Sequence, residues 1–190
     1  WGVLLGFGLG TAKNDKEALD WYQRSAEQGF APAQFEMGVL ANESKNLKPA
    51  IDWYVKAAVQ GNAMAMINLG VIWKNGVNRI VDLKTSEQWL KKSLKTIQPH
   101  YGANAYGNWA VVKSLLNSGL PGQIVLSELE PKARQGNALA QYHLAMLYAQ
   151  GIGLKPGSSK VVDLIQEAAA KGVAGAEFEL AGLYISGQLG

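Results

Sequence analysis

ARQGNALAQYHLA, residues 133–145, returns in variant form three more times along this chain of 190 residues: AEQGFAPAQFEMG at 26–38, AVQGNAMAMINLG at 58–70 and AAKGVAGAEFELA at 169–181. Each copy has a glycine, small residues two and four positions later, and an apolar–small pair eight and nine positions later. Those pairs are Met37-Gly38, Leu69-Gly70, Leu144-Ala145 and Leu180-Ala181. A weaker copy, YGANAYGNWA at 101–110, puts Tyr101 in the glycine's place and ends on Trp109-Ala110. The opening decapeptide WGVLLGFGLG is the back half of the same unit: Trp1 falls on Leu69 and Leu144, Gly8 on Gly76 and Gly151, Gly10 on Gly153. The small positions Gly2, Gly38, Gly70, Ala110, Ala145 and Ala181 are then 36, 32, 40, 35 and 36 residues apart. That period belongs to solenoids built from helix pairs. A phosphate loop at Gly6-Phe-Gly8-Leu-Gly10 fails its context test, because these glycines end a helix instead of following a strand and opening one.

The second segment of each unit carries one apolar stripe at helical spacing: Ala18-Trp21-Tyr22-Ser25-Ala26, Ala50-Trp53-Tyr54-Ala57-Ala58 and Trp89-Leu90-Ser93-Leu94. Asp15, Asp82 and Thr85 suit an N-cap or first turn, Pro49 a first turn, and Gly29, Gly61, Gly136 and Gly172 a helix stop. Each unit therefore reads as helix A, loop, helix B and a tight turn. The units are 30–61, 62–98, 99–136 and 137–172, with partial units at 1–29 and 173–190 forming one domain over 1–190. Antiparallel helices cross closely only where side chains nearly vanish, which the Gly and Ala positions provide, while Leu144 with Tyr148 and Leu180 with Tyr184 fill the space to the next helix. Trp21, Trp53 and Trp89 take one equivalent position and are expected in the inter-repeat core.

With 48% hydrophobic and 17% charged residues the composition is that of a globular chain. The longest apolar run falls short of the ~18 residues a spanning helix needs, and no cationic segment precedes it as in a signal peptide. The first residue is not Met and both ends are half-units, so the array is expected to continue in a longer protein. The absence of Cys excludes disulfides, thiolate metal sites and cysteine nucleophiles. A net charge of +3 is too small for the whole chain to read as a nucleic-acid binder.

The layout A-x-Q-x-x-L-G-x-x-Y-x-x-G-x-G, carried here by AQYHLAMLYAQGIG (140–153), followed by A-x-x-W-Y-x-x-A-A-x-x-G, carried by ALDWYQRSAEQG (18–29), resembles the Sel-1-like repeat, a relative of the tetratricopeptide repeat. The stretch Gln98–Arg134 departs from it, with Glu128 where Trp belongs and Pro131 inside helix B. The resemblance implies an all-α, right-handed superhelix of antiparallel helix pairs that serves as a protein-binding scaffold or adaptor. It also implies a bacterial, exported or periplasmic setting, with cell-envelope assembly or neutralisation of type VI toxins by an immunity-type inhibitor among the roles of relatives.

No catalytic constellation accompanies the repeat. His100 and His143 lie on different units without metal spacing, and His143 is expected to be partly exposed on helix A. Glu128/Glu130 and Glu177/Glu179 are two apart and point to different faces, and no nucleophile motif surrounds any Ser. The expectation is a non-enzyme with no cofactor and no metal. By analogy with the tetratricopeptide pattern, the groove positions are Phe35 and Val39, then Met64, Ile67, Val71 and Lys74, then Asn104, Val111 and Ser114, then Leu139, Tyr142 and Met146, and last Phe178. Of these Phe35, Val39, Ile67, Val71, Lys74, Asn104, Tyr142, Met146 and Phe178 are the expected contacts to a protein partner. Such an apolar face is either an interface or, if the array curves tightly, its interior. The alternative ligand is nucleic acid or an anionic polysaccharide, bound by Lys84, Lys91, Lys92 and Lys95 within a stretch (74–95) of six cations against two acids. Against it, these lysines are expected on an exposed helix flank without interleaved aromatic residues.

Overall fold

The computed structural model describes residues 14–96, 104–155 and 157–187, the side chains of residues 15 and 104–108 excepted. The opening decapeptide and Tyr101 lie outside them. Ten helices and no strand are found among the described residues. They fall into two compact units, residues 1–96 and 97–190. Unit 1 holds α1 (Asp15–Glu27), α2 (Ala31–Glu43), α3 (Leu47–Val59), α4 (Ala63–Asn75) and α5 (Leu83–Leu94). Unit 2 holds α6 (Asn104–Asn117), α7 (Gly122–Arg134), α8 (Ala138–Ala149), α9 (Ser159–Ala170) and α10 (Ala174–Ile185).

The turns between successive repeats are short because sequence closes one helix and opens the next within three residues. At Gln60-Gly61-Asn62, Gly61 takes φ 91°, a left-handed conformation that suits glycine. Its N–H and that of Asn62 donate to the carbonyls of Ala58 and Ala57. The Asn62 side chain then caps α4 by accepting from the Ala65 N–H at 2.9 Å. Gln135-Gly136-Asn137 repeats the device, with Asn137 accepting from Ala140 N–H at 2.9 Å. Asn137→Ala is therefore expected to cost about 1 kcal/mol in urea denaturation, whereas Phe30→Ala, at an N-cap with no side-chain bond, removes no cap.

In unit 1, α2 packs on α1, α3 and α4, and α4 on α3 and α5. Helix α3 puts Ala50, Tyr54, Ala57 and Ala58 inward and Lys48, Asp52 and Lys56 outward. The Tyr54 ring is fully buried among Ala65, Met66 and Leu69. It lies against Gly38, where a Cβ would come within 2.5 Å of Tyr54 Cδ1. At Gly70 the same closeness recurs, with a Cβ 2.6 Å from the Leu90 side chain and Ser86 Oγ donating to the Gly70 carbonyl at 2.7 Å.

In unit 2, α8 packs on α6, α7 and α9, while α10 packs on α9 and touches α6. Every residue of α8 from Ala138 to Ala145 is buried, as are Leu147 and Tyr148. A helix apolar all round is an interior helix, and α8 is the core of its unit.

Candidate functional site

In unit 1 the expected groove residues lie on α2 and α4, which are neighbours. Phe35 and Val39 are half-buried and pack on the Tyr54 cluster, with the Phe35 ring centroid 5.9 Å from that of Tyr54. Ile67 is only 3% exposed and belongs to the interior, which corrects its expected contact with a partner. Val71 is half-buried and borders a cleft of about 140 Å³ edged by Asn42, Asn68 and Asn75, and Lys74 is exposed in the last turn of α4.

Two carboxylates flank this face. Burial, and then Glu43, push the Glu36 carboxyl above the usual range. Burial, and then Glu36, likewise raise the Tyr22 phenol. The Tyr54 phenol is raised by burial, partly offset by the Asn68 amide. Because the folded state holds the Glu36 proton more tightly than the unfolded chain, its contribution to stability is present below the unfolded pKa and lost as pH rises through the folded one. Glu36→Gln should accordingly melt higher than the parent chain at about pH 7, with the two melting curves converging below about pH 4.

In unit 2 the expected face is largely closed. Tyr142 is 1% exposed and Leu139 is buried with it. His143, expected at the surface, is fully buried, its ring centroid 5.8 Å from Trp109 and 5.6 Å from Tyr142. The cause is the packing of α6 and α10 about α8. Gly175 on α10 admits the Tyr142 ring so closely that a Cβ there would lie 2.8 Å from Cζ. Met146, Val111 and Ser114 are half-buried, and Phe178 is 69% exposed. The side chain of Asn104 lies outside the described residues.

The second helices of the repeats depart from expectation. Trp21 is exposed and Trp53 and Trp89 are half-buried. Each has a cation over its ring from three residues further on: Arg24 at 5.2 Å, Lys56 at 4.0 Å and Lys92 at 5.0 Å from the centroid. Trp89 alone of the three joins the Tyr54 cluster. Lys92 of α5 thus does have an aromatic partner beside it, while Lys91 is paired with Glu87 at 2.6 Å.

A buried glutamine went unread in the sequence. Gln34 Nε2 donates to the Ala26 carbonyl at 3.1 Å, and Gln60 Nε2 bridges Gln34 Oε1 and the Gly29 carbonyl. Unit 2 repeats this with Gln141 Nε2 donating to the Ala133 carbonyl and Lys171 Nζ bridging Gln141 Oε1 and the Gly136 carbonyl. Each clamp ties three successive helices together. The signal was the glutamine five residues after Gly29 and Gly136, absent after Gly61, where Met66 stands. Among the described residues no three His, Cys, Asp or Glu side chains gather as metal ligands, and no helix is long and apolar enough to cross a membrane.

The Sel1 repeat sequence model matches residues 1–30, 31–62, 63–95 and 138–173. A Sel1 repeat protein from Oxalobacter formigenes is similar over 96% of this chain and 76% of its own, at 30% identity and a TM-score of 0.53. A second similar structure is c5321, a protective antigen present in uropathogenic Escherichia coli strains and displaying an SLR fold. It is 24% identical, covers all of this chain and 48% of its own, and has a TM-score of 0.48. No curated protein sequence matches the chain.

Proposed function

We propose that this chain, which belongs to the Sel1 repeat family, is a non-catalytic scaffold that holds a protein partner on its first-helix face. The observation that carries this reading is the α2–α4 surface of unit 1. There Val71 borders a cleft edged by three asparagines, and Phe35 and Val39 on the neighbouring α2 stay half-buried, an arrangement of apolar anchors and amide groups that suits a polypeptide. Lys74 adds charge at its rim, and Met146 is half-buried on the corresponding face of unit 2. The narrower form of the proposal, a bacterial immunity-type inhibitor of a secreted toxin or an envelope assembly factor, draws on the family resemblance. The family ordinarily supplies interaction surfaces rather than reaction centres.

The test is affinity capture at about 300 mM salt, where exposed charge pairs are screened, comparing the chain with its Val71→Asp and Phe178→Asp variants. A stoichiometric protein retained by the parent and lost from Val71→Asp at unchanged melting temperature supports the scaffold. Trp89 beside Lys92 favours a second reading, stacking of a base or sugar on a cationic helix, and that binding would instead collapse between about 50 and 200 mM salt.

A further inference from the structure

Unit 2 contains a cleft of about 470 Å³ between α7, α8 and α9, within the size range of ligand pockets. Its apolar lining is Leu144, Leu164 and the Tyr148 ring, each less than a tenth exposed. The repeat departs from its pattern at this wall. Trp53 stands eight residues before Gly61 and Trp21 eight before Gly29, but the residue eight before Gly172 is Leu164 and that eight before Gly136 is Glu128. Unit 2 therefore has an indole on neither α7 nor α9, and the cleft opens over the leucine that replaces one.

We propose that this cleft is a second docking site, which takes an aromatic side chain, an indole above all, from a partner protein, standing in for the tryptophan that Leu164 replaces in the repeat. The polar groups around it suit that guest. In unit 1 a cation covers each of the indoles of Trp21, Trp53 and Trp89, Lys56 lying 4.0 Å from the Trp53 centroid. The equivalent residue on α9 is Glu167, yet Lys160, one turn before Leu164 on the same helix face, holds its Nζ 5.6 Å from the Tyr148 centroid and supplies the missing cation. Two carboxylates offer acceptors for an indole N–H. Glu130 accepts from the Tyr148 hydroxyl at 3.2 Å and faces Arg134 at 3.6 Å, and Glu167 accepts from Gln141. The clamp of Lys171 on Gln141 and the Gly136 carbonyl fixes this wall before any guest arrives. Mixed charge, two carboxylates against three cations, disfavours a phosphate or a free metal ion.

That the guest belongs to a protein rests on the scaffold reading, but the cleft can be tested without it. N-acetyl-tryptophanamide is titrated into the isotope-labelled chain and followed by NMR. The expected result is saturable, millimolar binding with shifts centred on Leu144, Tyr148 and Leu164, and at least about tenfold weaker binding of N-acetyl-leucinamide. Leu164→Trp restores the residue that Trp21 and Trp53 supply in unit 1, so it should raise the melting temperature and weaken probe binding at least about tenfold. Lys160→Ala should weaken it about three- to tenfold without changing the fold. Should Leu164→Trp fold poorly, Lys160→Ala decides. Absence of saturable shifts, shifts centred on α2 and α4 instead, or binding indifferent to both substitutions overturns the proposal. Probe binding with no captured protein would sink the scaffold reading alone, and a captured partner with no probe binding would sink the cleft alone.

Discussion

Tyr54→Ala is expected to lower stability by about 3–5 kcal/mol in denaturant unfolding, and to reverse the effect of a second substitution, Gly38→Ala. The ring is fully buried, and its neighbours on α2 and α4 cannot collapse far without breaking the helix crossings at Gly38 and Gly70. In the parent chain Gly38→Ala forces a methyl to 2.5 Å from the ring, an overpacking worth about 1–3 kcal/mol, set against the ~1 kcal/mol that Ala gains over Gly in a helix. With the ring gone only the gain remains, so Gly38→Ala should be neutral or stabilising in the Tyr54→Ala background. A double-mutant cycle reads this coupling directly. Additive effects would mean that α2 and α3 do not meet at Gly38.

Tyr142→Asp should unfold unit 2 outright, with loss of helical circular dichroism near room temperature. The substitution removes an aromatic ring that is 1% exposed and puts a carboxylate into the packed space beside Gly175 and His143. The cavity alone costs about 3–5 kcal/mol and taking a carboxylate out of water several more, together comparable with the whole stability of a small domain. Phe178→Asp, at the same repeat position but 69% exposed, should leave the melting temperature within about a degree or two. If the two variants melt alike, the enclosure of α8 is wrong.

Those two residues also show what the sequence could and could not disclose. Phe35, Ile67, Tyr142 and Phe178 each stand six residues after a turn glycine, and periodicity assigns them one face. The structure finds them half-buried, 3%, 1% and 69% exposed. Local spacing determines which way a side chain points along its helix. Its burial depends on which helix lies across it: α10 brings Gly175 against Tyr142 and α6 brings Trp109 against His143, whereas Phe178 is left exposed. Helix pairs, turn glycines and the close crossings at Gly38 and Gly70 were legible because each depends on residues a few positions apart. The tryptophans misled for a related reason. A stripe at helical spacing marks a packed side, but Trp21 and Trp53 sit at its edge, where a cation three residues on covers the ring in place of a neighbouring helix.

The most direct test of the central claim is amide hydrogen exchange on the chain with its captured partner bound. The account predicts added protection on α2 and α4, centred on Phe35, Val71 and Asn75, that persists at about 300 mM salt. Protection confined to α5 around Lys84, Lys91, Lys92 and Lys95, and lost as salt rises from about 50 to 200 mM, would contradict it.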